Sequence, residues 1–268
     1  MKMTLKYEIT NNQHPIDVRL FQIRALRDIP RYNVKAGDLG GYLEHEGNLS
    51  QEGDCWIGND ACVYENGEVF GNAHIFDQAR VFGVAQVCEN AHVFGGALIY
   101  DRARLYNTCA VFDYAQVYGN ASVYSIAEVS GEAHVYGGAH VYGSSQVYGN
   151  AHVFNYAEIH GNAQVFENAW VHGRAWVTEE ALIFGDAQIC GDAQVSDHAQ
   201  VYENAQVYGN LRINENMQIA GQCSLTQSTE IYYVDGVTAY FDKFEKLLVN
   251  GTRKHKTHHE TLARLKLL

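Results

Sequence analysis

The sequence predicts an all-β fold wound as one long parallel β-solenoid, and three observations carry that prediction. Counted in sixes from Ile57, all thirty positions through Ile231 are Ile, Val or Leu, with no insertion or deletion. Of the 28 positions that follow an aliphatic by four, from Ala61 to Cys223, 22 are Ala. The only two prolines, Pro15 and Pro30, precede the repeat. A period of six is neither the helical 3.6 nor the plain strand alternation of two; it fits a chain that makes one short strand and one corner per hexad. A proline-free run suits strands whose amides all join ladders.

Each position of the hexad then has a reason. The typical unit is Val117-Tyr118-Gly119-Asn120-Ala121, seen again as Val207-Tyr208-Gly209-Asn210. With the aliphatic i pointing inward, i−1 and i+1 point outward, because neighbours on a strand alternate faces. Gly at i+2 and Asn, Asp or Gly at i+3 tolerate positive φ at a corner. The small residue at i+4 turns back inside, where the corner leaves little room. Burying one Val is worth roughly 1.5–3 kcal/mol, so the aliphatic columns hold the solenoid together although each coil touches only its neighbours.

This divides the chain into an N-terminal β cap (residues 1–53), the solenoid (54–233) and a C-terminal helical cap or tail (234–268). Residues 4–10 and 17–28 alternate as two strands of a small sheet that would cover the open first coil. At the other end, Asp242 would cap a short helix through Leu248. Thr257-His258-His259-Glu260 fits a capping box before Leu262, Leu265 and Leu268. Solenoids need such caps against end-to-end strand pairing. Gly37-Asp38-Leu39-Gly40-Gly41 lacks the Gly-Lys-Ser/Thr ending of a phosphate loop and reads as a turn into the first coil.

Charge excludes some functions. Residues 54–233 hold five Arg, no Lys and 20 acids, a balance of −15 within a chain at −12, whereas residues 234–268 stand at +3. Such a surface keeps the protein dissolved, repels phosphate backbones and attracts basic proteins, so direct nucleic-acid binding is not expected. The start of the chain has no apolar signal core and no segment approaches the roughly 20 apolar residues of a membrane span; a cytoplasmic protein without membrane contact is the expectation. The six Cys show no C-x-x-C spacing, so reduced thiols and no metal site are expected.

These small-plus-aliphatic hexads resemble the hexapeptide-repeat family, whose left-handed parallel β-helices wind three hexads into each triangular coil. The resemblance implies about ten coils, or roughly 48 Å of solenoid. LFQIRALRDIPRYNVKAGDLGGYLEHEGNLSQEGDCW, Leu20 to Trp56, is similar to the opening of a group of bacterial and prophage hexapeptide-repeat proteins labelled acyltransferases, and YFDKFEKLL, from Tyr240, to their closing segment. For this chain that implies a phage or prophage protein in the host cytoplasm, whose partner is a host protein, for example a defence component it blocks, or a small nucleotide ligand. It also implies an alternative, a CoA-dependent acyltransferase using acetyl-CoA or another acyl-CoA. Such transferases interrupt a coil with a loop that carries or frames a catalytic His, and residues 57–231 have no room for one. The expectation is therefore a non-catalytic, cofactor-free scaffold; were there chemistry, His134, His152 or His140 would be the general base. A rigid structural spacer is the third reading.

Three hexads per coil sort the i+1 residues into three columns. The first reads Phe76, Phe94, Phe112, Ser130, Tyr148, Phe166, Phe184, Tyr202. An outward ladder this apolar is expected to pack against other copies, most simply in a homotrimer with solenoids side by side. Tyr100, Tyr118 and Tyr136 of the second column, and Asp77, Asp113, Glu132 and Glu167 at the corner beside the first, are the candidates for binding a partner. His74 and His92, like His134 and His152, stand one coil apart; with no third ligand in the pattern they read as polar ladders rather than metal sites.

Overall fold

The computed structural model describes residues 5–226 and four further strands, Ile231–Val234, Val237–Phe241, Leu247–Val249 and Thr252–Arg253. It is all-β, a parallel solenoid of about ten coils consistent with a left-handed β-helix, and no α-helix occurs among the described residues. The chain divides into two compact units, Met1–Gly143 and Ser144–Leu268.

The first unit opens with three strands, β1 (Tyr7–Gln13), β2 (Phe21–Ala25) and β3 (Leu39–Leu43). β1 and β2 run antiparallel with Tyr7 opposite Ala25, and β3 pairs antiparallel with β2 on one side and parallel with Cys62–Val63 on the other. The Gly-rich motif is therefore only partly a turn: Gly37 takes φ +97°, but Gly40 and Gly41 lie inside β3. A Cβ on Gly40 would meet the Ile57 carbonyl at 2.5 Å, and one on Gly41 the Ala61 carbonyl at 2.4 Å. Glycine is what lets the cap strand press onto the first coil. Lys6 and Tyr7 fill the end of the core. The buried Lys6 amine donates to the Glu52 carbonyl and to Cys55 Sγ, and the Tyr7 hydroxyl donates to the Leu49 carbonyl.

From Trp56 onward the chain repeats two-residue strands at i−1 and i. In the first unit they stack in parallel with partners 18 residues apart. On face one Trp56, His74, His92, Ala110 and Glu128 stand in register. Face two carries Cys62, Arg80, Leu98, Gln116 and His134. Face three carries Glu68, Gln86, Arg104, Ser122 and His140. The second unit repeats the arrangement. Gln146, Gln164, Leu182, Gln200 and Gln218 form its face one; His152, Trp170, Gln188, Gln206 and Ser224 its face two; Glu158, Trp176, Gln194 and Arg212 its face three.

Inside each unit the hexad places its residues as its chemistry requires. The aliphatics from Ile57 to Leu225 are buried, and so are the alanines at i+4. Where that slot holds a polarisable substitute, the group donates to a carbonyl 14 residues on: Cys109 Sγ to Val123 at 3.3 Å and Ser145 Oγ to Ile159 at 3.2 Å. All 28 corners from Asn59 to Gly221 take positive φ at i+2 and none does so at i+3. The strain of the corner thus falls on a single residue, which is why i+3 accepts Val84, Tyr114, Ile126 and Tyr156.

The C-terminal end corrects an expectation. Instead of finishing a helix begun at Asp242, Leu247 and Leu248 lie in a strand of a four-stranded antiparallel sheet. Val234 stands opposite Val237 and Val249 opposite Thr252, which leaves the dipeptides Asp235-Gly236 and Asn250-Gly251 between paired strands. Asp-Gly and Asn-Gly are sequences that favour two-residue hairpins; residues 242–246, where the helix was expected to begin, lie outside the described residues. The capping box at Thr257–Glu260 lies outside the described residues.

Candidate functional site

The outward side chains form continuous ring stacks. In the first unit, Phe76, Phe94 and Phe112 stack at 4.9 Å between centroids, within 6° of parallel. Tyr64, Phe82, Tyr100, Tyr118 and Tyr136 stack at 4.8–5.0 Å on face two, and Tyr106, Tyr124 and Tyr142 at 4.8 Å on face three. In the second unit, Tyr148, Phe166, Phe184 and Tyr202 continue the face-one pattern at 4.9–5.0 Å. The coil spacing sets this distance: residues in register one strand apart bring flat rings to van der Waals separation. Stacking covers the ring faces and leaves edges, so the proposed interface rings are half-buried rather than open. Burial pushes the phenol of Tyr118 up to about 12, with Tyr100 and Tyr136 adding to it. The hydroxyls of Tyr100 and Tyr148 donate to Gln116 and Gln164 at 3.2 and 3.1 Å.

Charge is sorted away from face one. Among the outward strand positions of face one, from Trp56 to Ala220, Glu128 is the single charged residue. Fifteen of the 20 acids of residues 54–233 stand at i+2 or i+3 instead. At i+2 they have a structural task that sequence reading missed. The carboxylates of Asp77, Asp113 and Glu167, three of the candidate partner-binding acids, accept the backbone N–H of Gly95, Gly131 and Gly185, each 18 residues on, at 3.3, 3.1 and 2.9 Å. Glu65, Glu89, Asp101, Glu179 and Asp197 do the same. The fourth candidate, Glu132, sits at i+3 and is exposed. The signal was available: six of the ten acids at i+2 are followed 18 residues later by Gly, which places the acceptor under an uncrowded amide, whereas Glu179, Asp197 and Glu215 are joined by the same bonds in one acidic row.

The histidines do not assemble into one site. His134 packs edge-on to Tyr118 at 6.0 Å on face two, and His140 edge-on to Tyr124 at 6.3 Å on face three. His152, in the second unit, tilts against Trp170 at 5.2 Å. Burial holds His134, His160 and His172 below their ordinary range. His74 is covered by the cap: Tyr32 stacks on it at 4.1 Å and donates its hydroxyl to the Asn72 carbonyl. Burial first, and then the neighbouring His92, push His74 down to about 4, against an opposing pull from Asp77. Among the described residues no three His, Cys, Asp or Glu side chains group as a metal ion would need.

The concave features are shallow and lie at corners. One groove of about 750 Å³ in the first unit is lined by residues that include Asp77, Gly95, Asp113 and Tyr114; another, of about 370 Å³, lies between the cap and the first coil beside Tyr32, Asp38 and His74. Ile16 and Val18 are exposed in the cap, and within the solenoid the more exposed large apolar groups are corner and strand residues that break the hexad consensus, among them Tyr114, Ile126, Tyr156, Trp170 and Trp176. Among the described residues, no helix is long and apolar enough to cross a membrane. Neither the protein-family models nor the curated proteins compared with this chain match it.

Proposed function

We propose that this protein is a non-catalytic scaffold that joins copies of itself through face one and presents its remaining aromatic faces to a protein partner. The observation that carries the reading is the sorting of charge: a chain at −12 keeps one carboxylate, Glu128, among the outward strand positions of face one. Protein interfaces are depleted in charge at their centre and enriched in aromatic rings, with a charged rim. Ring edges in a regular array give a flat, uncharged strip, while the acidic corners form the rim and discourage misregistered contacts. A side-by-side trimer is the arrangement that the family resemblance suggests, and a host protein of basic surface is the partner that the acidic rim and the phage-like ends suggest.

Sedimentation equilibrium at micromolar concentration tests the assembly, and a thermal-shift screen with acetyl-CoA tests the transferase alternative. Oligomers without CoA stabilisation support the reading. A monomer removes the self-association, and stabilisation by acetyl-CoA that is lost in a His134→Ala, His140→Ala or His152→Ala variant replaces the scaffold with an enzyme.

A further inference from the structure

Trp170 and Trp176 stand on consecutive hexads of the second unit, on faces two and three, with Arg174 on the corner between them. They are 43% and 45% exposed, whereas the remaining tryptophan, Trp56, is 2% exposed. The outward position they occupy is otherwise filled in this unit by Gln, His, Glu, Leu, Arg or Ser, and nothing in the solenoid requires an indole there. Trp170 is braced from beneath by Phe154, edge-on at 5.9 Å, and by His152.

The neighbours of the two indoles in their rows combine donors with acceptors. His152 and Gln188 stand in register beside Trp170, and Glu158 and Gln194 beside Trp176. The corner between them holds a groove of about 380 Å³ lined in part by Asn155, Tyr156, Arg174 and Asp192, and Tyr156 is 67% exposed.

We propose that this edge binds a neutral oligosaccharide, with a sugar ring on each indole. A flat aromatic surface covers the C–H face of a pyranose, and amide, carboxylate and guanidinium groups at its border suit hydroxyls, which both donate and accept. Charge argues against a nucleic acid, because residues 144–226 hold nine acids and two Arg, which repels a phosphate backbone. Within the groove Arg174 and Asp192 stand together, so no single sign of charge at the edge itself selects a cationic peptide.

The test uses the full chain on an array of neutral glycans, followed by tryptophan fluorescence titration with hexasaccharides of glucose, mannose and N-acetylglucosamine. The expected result is saturable binding with a change in emission, weakened roughly tenfold or more in Trp170→Ala and Trp176→Ala and partly restored in Trp176→Phe. Buried Trp56 reports through its emission that each variant remains folded. Absence of any bound neutral glycan on the array, affinity unchanged in both alanine variants, or an emission change with hexa-arginine alone would each overturn the proposal.

Discussion

The carboxylate of Asp113 accepts the backbone N–H of Gly131, one coil further on, at 3.1 Å, while Asp113 itself holds φ +58° at its own corner. One side chain thus ties two coils and tolerates the left-handed backbone that the corner needs. Asp and Asn enter that region more readily than other side chains, because their short polar groups bond locally. Asp113→Asn should therefore leave stability nearly unchanged, since its amide oxygen still reaches Gly131. Asp113→Ala should cost about 1 kcal/mol for the hydrogen bond and roughly 1 kcal/mol more for the backbone. Urea unfolding of the two variants separates them.

The half-buried His74 gives the fold a pH dependence. Its folded value of about 4 lies below its ordinary 6.5, so the unfolded chain binds more protons between those limits. Stability is then full above about pH 6.5 and declines as pH falls toward 4, by on the order of 3 kcal/mol from this residue. Thermal unfolding of the native chain at pH 4.5 and pH 7 measures the decline, and His74→Gln should remove the part this residue contributes while leaving that of His92, His134, His160 and His172, which burial also lowers.

The i+4 slot should reject volume and accept a small hydroxyl. Ala121 is fully buried, and overpacking such a site costs typically 1–3 kcal/mol, the loss expected of Ala121→Leu. Ala121→Ser should cost less, because Ser145 in the equivalent slot donates to the carbonyl 14 residues on. The two melting temperatures order these effects.

The thiols should be inert in the folded state. Burial lifts Cys62 and Cys88 to about 11 and Cys109 to about 12, which leaves little thiolate at pH 8. A thiol-disulfide reagent should label Cys88, the half-exposed one, slowly and the others only after denaturation. Rapid labelling of Cys62 or Cys109 in the native protein would contradict the packing described.

What could be read in advance follows from where the information sits. The columns from Ile57 and Ala61 reveal the solenoid, its inward and outward faces and its ring ladders, because each repeats a local rule many times. The strands that hold Leu247 and Leu248 are not legible in the sequence because they lie outside the repeat, where a short apolar segment suits helix and strand alike. The corner acids were read as a surface for others because their acceptor role depends on a backbone amide 18 residues away. Trp170 and Trp176 were visible as departures from the consensus, but their exposure depends on the side chains around them.

The measurement that bears most directly on the scaffold account is the solution mass of the full chain beside that of a Phe94→Asp, Phe112→Asp variant. The account predicts a micromolar oligomer, three times the single-chain 30.0 kDa for a trimer, that the two aspartates split into folded monomers. A native chain that sediments at 30.0 kDa, or an oligomer indifferent to both substitutions, would contradict it.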